Sequence, residues 1–176
     1  MAGTASLDYE HARSLMTENR LAAGGDYLKA LLHLGLDPDI MAWVYVARDR
    51  EMELALVTTL VDRIGPKPIY DLLFRAYELA GTPRSVDPFV VSLYSPNMAF
   101  AIDLKTYLRI PESGWLDPGA ELARVHVSKA WFVIGFTDQK LIFGPGIYRV
   151  KSKQNHADVD FARWRKFEQN VLALAA

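Results

Sequence analysis

Trp43-Val-Tyr-Val-Ala-Arg-Asp-Arg-Glu-Met-Glu-Leu-Ala-Leu-Val-Thr-Thr-Leu-Val-Asp62 is the stretch whose reading decides how this chain folds. Read as one helix, it projects Arg48, Asp49, Arg50, Glu51 and Glu53 at steps of roughly 100°, so charge rings the axis and an apolar rod on either side must bury some of it. Read as a hairpin, the charges collect at a tip. Trp43–Ala47 is a short apolar run of β-branched and aromatic residues, as suits a buried strand. Arg48–Glu51 is then a solvated turn, and Met52, Leu54, Leu56 and Thr58 alternate with Glu53, Ala55 and Val57 on the way back. No Asn-Gly or Asp-Gly pair marks the turn, yet only the hairpin leaves every charge in water, and it is the expected form.

Upstream, Ser6 is placed to cap a helix running to about Ala23, with Gly24-Gly25 as its stop. Asp26 then caps a short helix from Tyr27 to Leu34, which Gly35 ends, and Asp37-Pro38-Asp39 turns the chain into the hairpin. Downstream, Pro66 and Pro68 suit the loop and first turn of a new helix. That helix runs from about Pro68 to Ala80 with Ile69, Leu72, Leu73, Ala76, Tyr77 and Ala80 as its buried stripe, and Gly81 and Pro83 close it.

Beyond Val86 the texture changes. Strands are expected at Phe89–Tyr94, Met98–Leu104, Leu122–Val127, Trp131–Phe136, Leu141–Phe143 and Ile147–Val150. Turns are expected at Ser95-Pro96-Asn97, Thr137–Lys140 and Gly144-Pro145-Gly146, and a loop at Pro111–Gly119. Asp158 can cap a closing helix that carries Phe161, Trp164, Phe167, Val171 and Leu174 along one side. Strands joined by short turns pair antiparallel. The expected fold is therefore α+β: a curved, mostly antiparallel sheet of about six to eight strands with helices packed on one face. Residues 1–176 read as one domain, with a change of texture near 81 between a helix-rich part (1–80), a strand-rich part (85–153) and a closing helix (158–174).

With 176 residues, 51% hydrophobic and 23% charged, the composition is that of a globular chain. A net charge of -1 gives no global attraction to nucleic acid or to an anionic membrane. The absence of cysteine excludes disulfides, thiolate metal sites and thiol nucleophiles. No basic segment followed by an apolar core opens the chain, and no apolar run approaches about 18 residues. A soluble, cytoplasmic protein is the expectation. Charge is unevenly spread: residues 1–80 carry twelve acids and eight bases, residues 121–176 five acids and nine bases.

Candidate chemistry is sparse. His11, His33, His126 and His156 show no paired spacing, so no metal site is expected, and no cofactor motif is present. His126 shares a strand face with Arg124 and Ser128. If the Ile147–Val150 strand packs nearby, Arg149 and Lys151 join them, and Arg124, His126, Arg149 and Lys151 form a candidate site for a carboxylate or phosphate; the ordinary wet face of a sheet has the same pattern. Asp62 and Arg63 lie where a strand gives way to a helix, a place that often carries function, although Asp62 paired with Arg63 or Arg75 would simply fix the loop. Asp62, Arg63 and His126 are the candidates for an enzyme with a dispersed site. Asp37, Asp39, Asp49, Glu51 and Glu53 lack the spacing of a calcium loop, and no Gly-x-Ser-x-Gly occurs. Arg163, Arg165 and Lys166 lie opposite Trp164 and Phe167 on the closing helix, which argues for a docked helix over a nucleic-acid surface. The leading expectation is a non-catalytic module that binds a protein partner or itself; the alternatives are a domain for a small anionic ligand and the dispersed-site enzyme.

Overall fold

The charged tip forms as its pattern demands. In a computed structural model, which describes residues 3–107, 131–134, 140–151 and 157–176, β1 (Ile40–Val46) and β2 (Glu51–Val57) pair antiparallel with Trp43 opposite Leu54. The turn between them is four residues long, which explains the missing Asn-Gly. Arg50 takes the left-handed conformation (φ 57°) and donates its N–H to the Val46 carbonyl at 2.8 Å, as four-residue loops built on a helical turn do.

All seven residues of β1 are buried. Met41, Trp43 and Tyr45 enter one apolar cluster, while Ile40, Ala42 and Val44 enter another. A strand buried on both faces reads as a continuous apolar run, and Ile40–Val46 is one. The first cluster lies under four helices: α1 (Gly3–Leu15), α2 (Glu18–Leu34), α4 (Pro66–Glu78) and α6 (Ala157–Ala173). The second lies under α5 (Ala99–Tyr107), which contributes Phe100, Ala101 and Leu104.

The sheet order is β3-β2-β1-β5-β4, with β3 at Val91–Tyr94, β4 at Trp131–Ile134 and β5 at Lys140–Val150. This corrects the expected fold in three respects. Among the described residues the sheet has five strands and is open. It is mixed: β3 runs parallel to β2, because a short helix α3 (Leu60–Ile64) and then α4 carry the chain back across one face, and a helical crossover delivers parallel strands. Helices cover both faces, because Met98–Leu104, expected as a strand, belongs to α5 instead in all but Met98. Its run of small residues spaces Phe100 and Leu104 one helical turn apart, so both reach the sheet.

Smaller corrections follow the same logic. Ser6 lies inside α1, and the break between the first two helices falls at Met16-Thr17, where the Thr17 hydroxyl accepts the Arg20 N–H. Gly24 and Gly25 lie within α2, and Asp26 is a mid-helix residue. A Cβ at Gly24 would overlap the Tyr148 ring of β5, so this glycine admits a neighbour and does not stop a helix. Gly144-Pro145-Gly146 is no hairpin turn: β5 runs through it, and the pairing with β1 jumps from Ala42–Ile147 to Val44–Ile142, a wide bulge. Gly35 ends α2 in the left-handed conformation as expected. After α4 that conformation falls on Ala80, while Gly81 makes room for Leu174. The expected elements at Pro111–Gly119 and Leu122–Val127 and most of the Thr137–Lys140 turn lie outside the described residues.

Candidate functional site

The antiparallel and parallel pairings bring the start of β1 beside the ends of β2, β3 and β5. From β2 the chain leaves toward one face of the sheet, into α3 and α4. From β3 it leaves toward the other, into α5. Such a divergence opens a crevice where α/β sheets commonly hold ligands. Polar side chains gather there. Asp37 is the hub: Arg149 donates to its Oδ1 at 2.8 Å and Arg163 to its Oδ2 at 2.6 Å. Lys151 Nζ lies 2.9 Å from Oδ2 and donates to the Asp37 carbonyl at 3.0 Å.

Asp39 is buried next to this hub. It accepts the Thr59 N–H at 3.3 Å and lies 3.9 Å from Lys151. Burial, the largest influence, pushes its carboxyl above the usual range, against the opposing pull of Lys151 and Lys105. Asp160, at the start of α6, accepts the Thr59 hydroxyl and faces Arg63 at 3.9 Å.

Of the residues singled out from sequence, Arg149, Lys151, Asp62 and Arg63 all fall at this end of the sheet. Arg149 and Lys151 do come together, with donors directed at Asp37. Asp62 accepts from Ser95 Oγ at 2.8 Å and from Asn97 Nδ2 at 3.0 Å, which ties the end of β3 to α3; neither Arg63 nor Arg75 pairs with it. Arg63 lies over the Phe161 ring, 5.5 Å from its centroid. Arg124 and His126 lie outside the described residues, as does His156. His11 meets the Tyr45 ring edge-on at 5.8 Å, and His33 is exposed. Within the described network, Asp37, Asp39 and Asp160 meet Arg63, Arg149, Lys151 and Arg163, while Asp62 is held by the neutral side chains of Ser95 and Asn97. Such pairing fastens α3 and α6 to the sheet. Among the described residues no three His, Asp or Glu side chains gather to hold a metal ion, and no helix is long and apolar enough to cross a membrane.

A different arrangement occupies the helix-covered face nearer the hairpin tip. There the junction of α1 and α2, the end of α4 and the loop leading to a single 3₁₀ turn (Pro88–Val90) enclose a cleft of about 550 Å³, within the range of small-molecule sites. Leu15, Ala23, Trp43, Met52 and Val90 give it an apolar lining, and Ser14, Asn19, Arg20, Arg84 and Asp87 bring polar groups to it. Arg20 is the informative residue. Its guanidinium is partly buried, stands 5.4 Å from the Trp43 ring centroid, and donates from Nη1 to the Leu15 carbonyl at 2.5 Å. The Trp43 indole donates to the Arg20 carbonyl at 3.0 Å and fixes the ring beneath it. Burial draws the Arg20 pKa below the ordinary arginine value. Among the described residues no carboxylate lies within salt-bridge distance of Arg20, in contrast to every cation of the Asp37 network. Arg84 is exposed, lies 4.5 Å from the Tyr77 ring centroid and donates to the Glu78 carbonyl at 3.1 Å.

Sequence reasoning passed over Arg20 because it looked like one of several charges on an amphipathic helix. Its cation–π partner is 23 residues away, and only the missing counter-charge distinguishes it. No protein-family model, no curated protein and no solved structure matches this chain.

Proposed function

We propose that this protein binds a small anionic ligand in the cleft between the α1–α2 junction and the 84–90 loop, with Arg20 as the anion-holding group. The observation that carries this reading is the Arg20 guanidinium, which has no carboxylate partner among the described residues. A partly desolvated cation without a carboxylate partner carries a desolvation cost, and an incoming anion relieves that cost through charge-assisted hydrogen bonds. Among the described residues one of its five N–H donors has a partner, which leaves four for such bonds. Around Asp37 the charges of Arg149 and Lys151 are met, although Arg149 Nε is buried with no hydrogen-bond partner among the described residues, so the anion site expected from sequence is proposed at a different place.

The test is a thermal-shift screen with simple carboxylates and phosphates against the full chain. A binding anion raises the melting temperature with concentration. Arg20→Ala is expected to weaken binding by about 10- to 100-fold, as loss of a charged hydrogen bond does, while Arg13→Ala, at an exposed position of α1, leaves it unchanged. Equal shifts in wild type and Arg20→Ala would sink the reading.

A second reading, association with a protein partner or a second copy, is favoured by Phe89. This ring is 84% exposed and rests edge-on against Phe74 at 4.8 Å. A concentration-dependent mass in light scattering that Phe89→Ser abolishes would support it; a monomer at all concentrations would count against self-association.

A further inference from the structure

The cleft's chemistry narrows the ligand class, an inference that rests on the proposed site. We propose that the ligand is a monocarboxylate with an apolar body, held by the side-on edge of Arg20 while its body lies against Trp43 and Met52.

Three observations converge. First, the cleft holds one cation at depth. Arg84 and Asp87, both exposed, add one cation and one anion to the lining, so the net formal charge of the lining is that of Arg20 alone. A monoanion satisfies it; a phosphate dianion overshoots it.

Second, the donors suit a carboxylate. Arg20 commits Nη1 to the Leu15 carbonyl, which leaves its Nε–Nη2 edge for the two parallel bonds that a carboxylate accepts. A phosphate recruits further donors around its oxygens, and beside Arg20 the Ser14 hydroxyl is already engaged as a donor. Ser14 Oγ donates to the His11 carbonyl at 2.7 Å, and Thr17 Oγ1 accepts from the Arg20 N–H.

Third, part of the remaining wall is apolar. Leu15, Ala23, Trp43, Met52 and Val90 offer a surface against which hydrocarbon packs, with the polar side chains of Asn19, Tyr77 and Ser85 beside it.

The experiment titrates the full-length protein with phenylacetate, octanoate, 2-phenylethanol and inorganic phosphate. Binding is read by calorimetry and by the indole N–H resonance of Trp43. Phenylacetate or octanoate is expected to bind and to move that resonance, and 2-phenylethanol to bind at least tenfold more weakly. Arg20→Ala and Arg20→Gln, two variants that guard against a folding defect in one, each lose the carboxylate preference. Arg20→Lys recovers only part of it, because an ammonium cannot make the paired contact. Phosphate binding that depends on Arg20, with neither carboxylate binding, overturns the ligand class and leaves the anion site standing. If no probe binds at millimolar concentration, or if carboxylates bind equally well to the Arg20 variants, class and site fall together.

Discussion

Asp37 concentrates more charge than any other described residue: two arginines and a lysine converge on one carboxylate. Arg149 and Lys151 are 14% and 9% exposed at their side chains, so their partner cannot be replaced by water. Asp37→Asn is expected to destabilise the protein by about 3–5 kcal/mol, the usual penalty for leaving buried charge unpaired, measurable as a lower urea midpoint. The exposed Lys67–Asp71 pair on α4 (2.7 Å) gives the contrast: Asp71→Asn should change stability by about 0.5 kcal/mol or less. Asp39 behaves in the opposite sense to a salt-bridged acid. Its folded pKa is raised, mainly by burial, with Asp160 adding to the effect and Lys151, Lys105 and the Thr59 N–H opposing it. The folded state therefore holds the Asp39 proton to higher pH than the unfolded chain does, and this residue's contribution to stability declines as pH rises from the ordinary carboxylate range through the raised value. Asp39→Asn should flatten that decline in a pH series of unfolding free energies. A slope unchanged by the substitution would refute the assignment.

At the scale of elements, what matters is where one segment lets another approach. Helix α2 continues through Gly24 because the Tyr148 ring needs the space of a side chain there, and the Tyr148 hydroxyl donates to the Leu21 carbonyl at 2.6 Å. Gly24→Ala tests this directly. Helix propensity alone would stabilise the variant by about 1 kcal/mol, whereas overpacking costs about 1–3 kcal/mol. We expect a net loss of stability and weakened α2–β5 docking, seen as faster amide exchange in β5; a more stable variant would show that the ring yields freely. The bulge in β5 is a second case. Gly144-Pro145-Gly146 has turn composition, yet Ile142 and Ile147 both pair with β1, so the extra residues are pushed out of an otherwise continuous strand. Composition marked the irregularity; whether it reversed the chain or merely swelled it depended on the strand alongside.

For the whole molecule, β1 is the axis. It pairs with β2 on one side and β5 on the other, and both of its faces are sealed by apolar clusters. Its backbone amides are expected to exchange with solvent only on global unfolding, whereas those of β3, a four-residue parallel strand at the sheet edge, exchange by local opening as well. Native-state hydrogen exchange distinguishes the two, and equal protection would contradict the arrangement. The same layering explains how far the sequence could be read. Local physics determined the hairpin, because charges at positions 48–53 have one arrangement that keeps them in water. It determined α4, through its apolar stripe and flanking prolines, and the chain's inability to form disulfides. Tertiary structure alone decided that β3 runs parallel, that Ala99–Leu104 coils into α5, and that Arg149 and Lys151 face Asp37 while Arg20 faces no acid among the described residues. Each of these depends on contacts between residues distant in the chain, and a residue's spacing from its neighbours carries no information about the charge or surface that will meet it after folding.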